Sequence, residues 1–567
     1  MVVITDQNFL KWAPKLRQSL LDCQFIAIDF EFLGLDMSAI SLHDTTENRY
    51  SLLRENVIKY RPCQLGISFF KQNRTGGYLA DCYAIPLFQR FGEVSTNINF
   101  SSLRFLRNHK FDLNEVFTDG VEYCTRAEFR KFEKALKNGN ALRLIGKELG
   151  GHIELLKVML HEKVMQHQLR RQTLNTEEPL QQTPLVLDLE TSVNLKLPGC
   201  TKSSLEMCLT VYELTKRFPQ FQFTPDESNE VLTVSPLPDS INIEENEKST
   251  RVQCLEAFEG IAAILEAAVW MRKPIVGHNS LLDFMYMYHY FFHRLPEKYV
   301  IFKEKLFKMF PTICDTKFLA QSLRVELVGV GDSLQKLGDF FGSEKSDAMV
   351  PPELRGFCEP WLNPMEEESE QAYHNAGFDA YVTGEVFLKM AHIFINRGEK
   401  KKNEVCKFKR MLQILRTSIL SRLPFQLLDI GSCHLGAEDT KGSRPDVINV
   451  VRTDRQQIEP HEFLREEESL AHLMVQYQFD MELSKDNKTL LLATNTAGSY
   501  AFLCERYSKQ ENGLVLLDEL EAGVKWTFEQ RQTSWRSHKN AENGLIGHIQ
   551  RRWSRYQVAR MDQVLSD

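Results

Sequence analysis

Asp29 and Glu31 stand two residues apart in Phe25-Ile26-Ala27-Ile28-Asp29-Phe30-Glu31-Phe32. On a strand that spacing sends both carboxylates to one face, where they repel unless a cation lies between them. Two further acids occur far downstream, each where a helix is expected to begin: Asp283 in Gly277-His278-Asn279-Ser280-Leu281-Leu282-Asp283, and Asp379 in His374-Asn375-Ala376-Gly377-Phe378-Asp379-Ala380. Four carboxylates are hard oxygen ligands that suit Mg²⁺ or Mn²⁺ rather than zinc. Two such ions about 4 Å apart clamp the attacking and departing oxygens of an in-line phosphodiester displacement. A neutral His374 beside them has a pKa near working pH, which suits it to take a proton from the attacking water. Five residues separate His374 from Asp379, a divergence of roughly 140° on one helix, so the histidine is expected on the turn leading in.

Each residue alone has a plainer reading. An Asp-x-Glu pair can end a strand and reach solvent, Asp283 and Asp379 can be first-turn acids that favour the helix dipole, and His278 reads as a structural residue near its glycine turn. Four acids and His374 arriving together in strand, turn and helix contexts that can converge reverse those odds.

The elements that must position them follow from periodicity. Asn8 to Leu21 reads as an amphipathic helix delivering the chain to the Asp29 strand, and strands are expected at 63–70 and 78–87, joined by the turn Asn73-Arg74-Thr75-Gly76-Gly77. Short joins predict an antiparallel meander. The pattern then turns helical from 126 to 171, a helix is expected over 203–218 with an extended segment at 231–234, and the polar run 236–250 reads as a mobile connector. A helix over 252–271, a buried strand at 274–279, a helix over 280–292, a strand edge at 312–316 and a helix over 374–395 complete an α/β layered core. Beyond 397 the expected strands are 447–451, 489–493 and 499–504, with a helix over 466–477, followed by a tail from Lys525 that interleaves bases with aromatics.

Taken together, Asp29-x-Glu31 in its Ala-Ile-Asp-x-Glu-Phe setting, Gly277-His278-Asn279 with Asp283, Asp315-Thr316-Lys317, and His374-x-x-Gly377-x-Asp379-Ala380-Tyr381 resemble the motifs of the DEDDh exonucleases. They are most similar to those of the poly(A)-specific ribonuclease family, which includes the enzymes that trim the 3′ ends of piRNA precursors. The resemblance covers roughly residues 1–397 and implies a ribonuclease H-like mixed sheet flanked by helices. It implies that Asp29, Glu31, Asp283 and Asp379 bind two Mg²⁺ ions, with Mn²⁺ as the alternative metal, and that His374 is the general base. Phe32, Leu35, Asn279 and Lys317 match positions lining the family's substrate pocket. The activity implied is 3′-to-5′ hydrolysis of single-stranded RNA, of a poly(A) tail or a piRNA precursor, releasing 5′-nucleotides. The alternatives are a DNA 3′-to-5′ exonuclease and a non-catalytic RNA-binding scaffold. Two departures stand out: Phe30 separates the first acids where deadenylases often carry glycine, and no Arg-x-x-x-His signature occurs in the insertion, the nearest residues being Lys163 and His167.

The expected organisation is a nuclease domain split into 1–125 and 251–397, a small inserted α/β domain with its linker at 126–250, and a C-terminal α/β region at 398–567 with a small RNA-binding-like module and its basic tail. The family implies a homodimer, and a protein partner is expected to recruit substrate. A net charge of −7 argues against a protein that coats nucleic acid non-specifically and leaves room for a local basic groove. No secretory leader or membrane anchor is legible, so the expected location is intracellular: cytoplasm, RNA granules or nucleus. Twelve cysteines without a Cys-x-x-Cys exclude a zinc ribbon.

Overall fold

A computed structural model describes residues 1–350 apart from 42, 74–76, 91–95, 146, 175–191, 198–202 and 227–230. Beyond them it describes 359–360, 373–398, 422–424, 432–439, 447–452, 457–458, 479–494, 500, 514–516 and 526–530. The chain opens with β1 (Val2–Val3), α1 (Asp6–Asp22) and β2 (Phe25–Phe32). Then come α2 (Thr46–Lys59), β3 (Pro62–Gln72), β4 (Tyr78–Pro86), α3 (Phe100–Asn108) and α4 (Leu113–Asp119). The antiparallel meander β2–β3–β4 is as expected. The join between β2 and β3 is not short, however, because α2 forms there with Thr45 capping Asn48 N. Its hydrophobic periodicity is weak, since Tyr50, Leu53 and Val57 are separated by charged residues and Arg49 is itself buried.

The inserted segment contains α5 (Arg126–Lys137), α6 (Ala141–Ile145), α7 (Lys147–Leu174), β5 (Val193–Lys196), α8 (Ser204–Arg217), β6 (Phe221–Pro225) and β7 (Val231–Pro236). It returns through α9 (Ile243–Glu259). The expected connector over 236–250 is thus mostly helix: Asn242 caps Glu244 N, and Glu244 and Glu245 suit the first turn. The single helix expected over 252–271 is two helices, α9 and α10 (Ala262–Trp270). Gly260 breaks it with φ 54°, and a Cβ there would lie 1.8 Å from the Glu122 carbonyl oxygen, so only glycine fits.

β8 (Ile275–Gly277), α11 (Leu281–Met287), a π-helical turn (Tyr288–Phe292), α12 (Tyr299–Met309), β9 (Ile313–Asp315), α13 (Thr316–Ser322), α14 (Leu334–Gly342), β10 (Glu359–Pro360) and α15 (Ala376–Gly398) follow. The remaining described strands are β11 (Arg422–Pro424), β12 (Ser432–His434), β13 (Ile448–Arg452), β14 (Phe479–Leu483), β15 (Thr489–Thr494), β16 (Leu514–Leu516) and β17 (Trp526–Gln530).

The main sheet runs β1-β4-β3-β2-β8-β9-β11-β12, with β10 beside β4. β2, β8, β9 and β11 pair in parallel and the meander pairs antiparallel, giving the mixed α/β sheet expected. Strand alternation divides its core. Ile26, Ile28 and Phe30 pack with α1, α2, α10, α11 and α12, whereas Phe25 and Ala27 face α13, α14 and α15. Asp29 and Glu31 continue the second face. β11 and β12 extend this sheet from beyond 397, and Asp439 accepts from Tyr299 and Lys303 of α12, so the first part of the C-terminal region docks on the nuclease sheet.

A three-stranded sheet, β5-β7-β6, carries the insertion's core with α7 and α8. The C-terminal sheet is β14-β15-β13-β17-β16. β14, β16 and β17 were not anticipated, and Trp526, assigned to a basic tail, lies in β17 paired with β13. The expected helix over 466–477, nearly all of the expected strand over 499–504 and the tail beyond 530 lie outside the described residues. Among the described residues no helix is long and apolar enough to cross a membrane.

Candidate active site

The acids meet at the carboxyl ends of parallel strands and the start of two helices. Asp29 pairs with Gly66 and Glu31 with Gln64, and a bulge after Glu31 re-aims the chain toward Phe32. Both partner residues on β3 hold the beginning of α15. Gln64 Oε1 accepts a 2.9 Å bond from Ala376 N. A Cβ on Gly66 would lie 1.7 Å from the Ala376 carbonyl oxygen, so glycine lets the helix touch the strand directly opposite Asp29. Asn375 caps the same helix through Gly377 N and Phe378 N. Asp379, one turn in, thereby comes to the acids on β2.

Asp283 arrives from the other side. Its Oδ1 accepts from Phe30 N at 3.0 Å, so the peptide between the two β2 acids is a ligand to the third acid. The Phe30 side chain is buried against Phe291, on the opposite face, and serves packing. His374 precedes α15 with φ 68°, as its distance from Asp379 requires, and its N–H donates to Asp379 Oδ2 at 2.9 Å. Ligand atoms of Glu31, His374 and Asp379 lie within 4.8 Å of one another.

The electrostatics are those of a site short of positive charge. Burial first, then the neighbouring acids, hold Asp29 and Glu31 well above the usual carboxylate range. Burial pushes Asp283 and Asp379 up to about 7, against the lowering effect of the Phe30 and His374 amides. Burial and the neighbouring His109 lower His374 to about 4, so its ring is neutral at working pH. Asp379 Oδ1 is buried and has no hydrogen-bond partner among the described residues. An orphaned carboxylate oxygen amid three other acids costs several kcal/mol unless a cation sits there. The donor set therefore fits hard divalent cations.

The expected pocket residues differ in their local settings. Phe32 stacks on Tyr286 at 4.0 Å. Leu35 is half-buried, its N–H bonded to Ser102 Oγ at 3.0 Å. Asn279 adopts φ 54°, and its buried Oδ1 has no hydrogen-bond partner among the described residues. Lys317 starts α13. Asp315 joins the last two: its carboxylate accepts from the amides of Asn279, Ser280, Lys317 and Phe318 and from Ser280 Oγ. Asp315 was quoted only as part of a motif, and its strand-end position before a helix was the available signal. His278, pushed down to about 3 by burial and Lys317, bonds Thr316 Oγ1 through Nδ1 and is structural as expected. Gln64, Gly66 and the rings of Phe105 and His109 beside His374 were not anticipated.

With this geometry in place, the chain was compared with known proteins. It matches the profile of the CAF1 family ribonucleases over residues 4–387. It is 56% identical to the 3′-5′ exoribonuclease parn-1 of Caenorhabditis elegans over 566 residues, covering 100% of both chains. It is 27% identical to the poly(A)-specific ribonuclease PARN of Xenopus laevis over 79% of this chain and 71% of that one. The pre-piRNA 3′-exonuclease trimmer of Bombyx mori is 24% identical over 69% of this chain and 71% of its own length.

Proposed function

Because the chain belongs to the CAF1 family of ribonucleases, and is a 3′-to-5′ exoribonuclease, we propose that it shortens single-stranded RNA from a free 3′ end by metal-assisted hydrolysis at the Asp29 cluster. The observation that carries this reading is that four carboxylates act on one another, that Glu31 and Asp379 meet a neutral His374, and that Asp379 Oδ1 has no hydrogen-bond partner among the described residues. Asp29, Glu31, Asp283 and Asp379 would hold two Mg²⁺ or Mn²⁺ ions, which when bound supply charge neutralisation at the phosphodiester and a more acidic attacking water. His374 takes the proton from the attacking water, its main-chain N–H held by the Asp379 carboxylate in the turn it occupies. Phe32 and Leu35 wall the terminal nucleotide, while Asn279 and Lys317, set by Asp315, meet its polar edges and phosphate.

The relatives' names support a poly(A) tail or a small-RNA precursor as substrate. The same reading proposes a location inside the cell, in the cytoplasm, RNA granules or nucleus, and a homodimer with a partner that delivers RNA. The decisive experiment incubates the purified chain and Mg²⁺ with 5′-labelled RNA oligomers, one poly(A) and one of mixed sequence, beside matched DNA. Progressive shortening of RNA with release of 5′-nucleotides, abolished in Asp29→Ala and Asp379→Ala, is the expected result. Full activity in either variant overturns the assignment, and preference for DNA overturns the substrate.

A further inference from the structure

The general base rests on little of its own. His374 comes directly before a capped helix in a left-handed backbone conformation that is unfavourable for a non-glycine residue. Its main-chain N–H is engaged by Asp379, but its imidazole makes no hydrogen bond to a described residue. What the ring touches is the end of α3. The His109 ring lies 3.9 Å from it, centroid to centroid, tilted by 59°, and Phe105 meets it edge-on at 4.7 Å. Those two rings are 4.4 Å apart, so the three form a closed triangle.

His109 is itself fixed. Its Nδ1 lies 2.8 Å from the Phe105 carbonyl oxygen, which can only accept, so Nδ1 carries the proton and the ring is locked against its own helix. α3 in turn is fastened to the residues that follow the first two acids. Leu35 N donates to Ser102 Oγ, Asn99 N to the Leu33 carbonyl at 3.1 Å, and Asn99 Nδ2 to the Leu35 carbonyl. A continuous chain of contacts thus runs from Glu31, through the Leu33–Leu35 segment and α3, to the imidazole of His374.

We propose that His109 is a positioning residue: its ring braces His374 and sets the base in register with the acids of β2. This rests on the reading of His374 as general base. A ring stack of this kind acts on the step in which the proton moves, where a misplacement of about 1 Å costs on the order of 100-fold, and leaves capture of RNA to the pocket residues. His109→Ala removes the brace, and His109→Phe keeps a ring of similar size in its place.

The test measures steady-state shortening of a labelled single-stranded RNA by the full chain, with thermal midpoint and its shift on adding Mn²⁺ as controls of fold and acid cluster. His109→Ala is expected to lower kcat by roughly 10- to 100-fold with KM within about twofold, and His109→Phe to recover most of that loss. In a His374→Ala background, where residual turnover is followed over long incubations, adding His109→Ala is expected to change nothing further. An unchanged kcat in His109→Ala, a loss carried by KM, no rescue by phenylalanine, or an additional loss in the His374→Ala background each overturns the proposal. Should wild-type chain and His374→Ala degrade RNA equally, the reading of the base itself falls, which is distinguishable from a failure confined to His109.

Discussion

At the scale of single residues, the acid cluster trades stability for chemistry. Replacing Asp379 by Asn keeps its shape and removes one charge from a site that has too many of one sign. Asp379→Asn is expected to lose more than about 1000-fold in turnover while raising the thermal midpoint of metal-free protein, as read by activity assay and calorimetry on the same sample. The pH dependence follows from the raised acids. A carboxyl whose folded pKa exceeds its unfolded value favours folding while it is protonated. The stability contributed by Asp283 and Asp379 is therefore complete below the ordinary carboxylate pKa and lost as pH rises through about 7. In chelator the midpoint is expected to fall between pH 5 and 8, and Mn²⁺ is expected to restore more of it at pH 8 than at pH 5. Equal stabilisation at both pH values would contradict the cluster as the binding site. The acids and His374 were legible because carboxylates at strand ends and helix starts carry a chemical demand that a bland position does not. Gln64, Gly66 and His109 carried no such signal, since their contribution is proximity, and proximity exists only after β3 and α3 are placed.

Among the elements, α15 depends most on a single atom's absence. Gly66→Ala would push a methyl group into the Ala376 carbonyl and pry the helix from β3. A cost of about 3 kcal/mol is expected by denaturant unfolding, with turnover reduced at least as far as by losing one acid, because Asp379 moves with the helix. Strands of the meander could be read from the sequence because β3 and β4 are buried along almost their whole length and are bounded by a turn-like Asn-Arg-Thr-Gly-Gly. α2 could not, since its buried positions include Arg49 and its charged residues mask the period. The first half of α9 is hidden for a related reason: Asn242, Glu244 and Glu245 look like linker residues until the asparagine is recognised as a cap.

For the whole molecule, the insertion and α9 meet α1 through specific polar contacts beside a shared apolar layer that includes Leu10, Phe132, Leu205 and Phe258. Asp6 in α1 accepts from Ser204 N at 2.7 Å, while Ser204 Oγ donates to the Asp6 carbonyl, and Arg17 pairs with Glu256 of α9 at 2.8 Å. Asp6→Ala leaves the Ser204 amide buried without an acceptor, a loss of about 1–3 kcal/mol. Proteolysis within the insertion is expected to accelerate in that variant, while cleavage elsewhere stays unchanged. The change of pattern near 126 coincides with the start of α5, while α9 runs across residues 250 and 251 without a break.

The order of strands in the main sheet also has a consequence for the protein as it is made. β2, bearing the first two acids, must wait for its parallel neighbour β8, about 250 residues later, and Asp379 follows about 350 residues after Asp29, an interval of roughly 20–70 s at ordinary rates of synthesis. Throughout that interval a nascent chain carries an open strand edge tipped with two carboxylates and has no base or fourth acid to act with. With the proposed site, a ribosome-tethered fragment is expected to leave the message that encodes it uncut and to become competent only when nearly all of the sheet has been delivered.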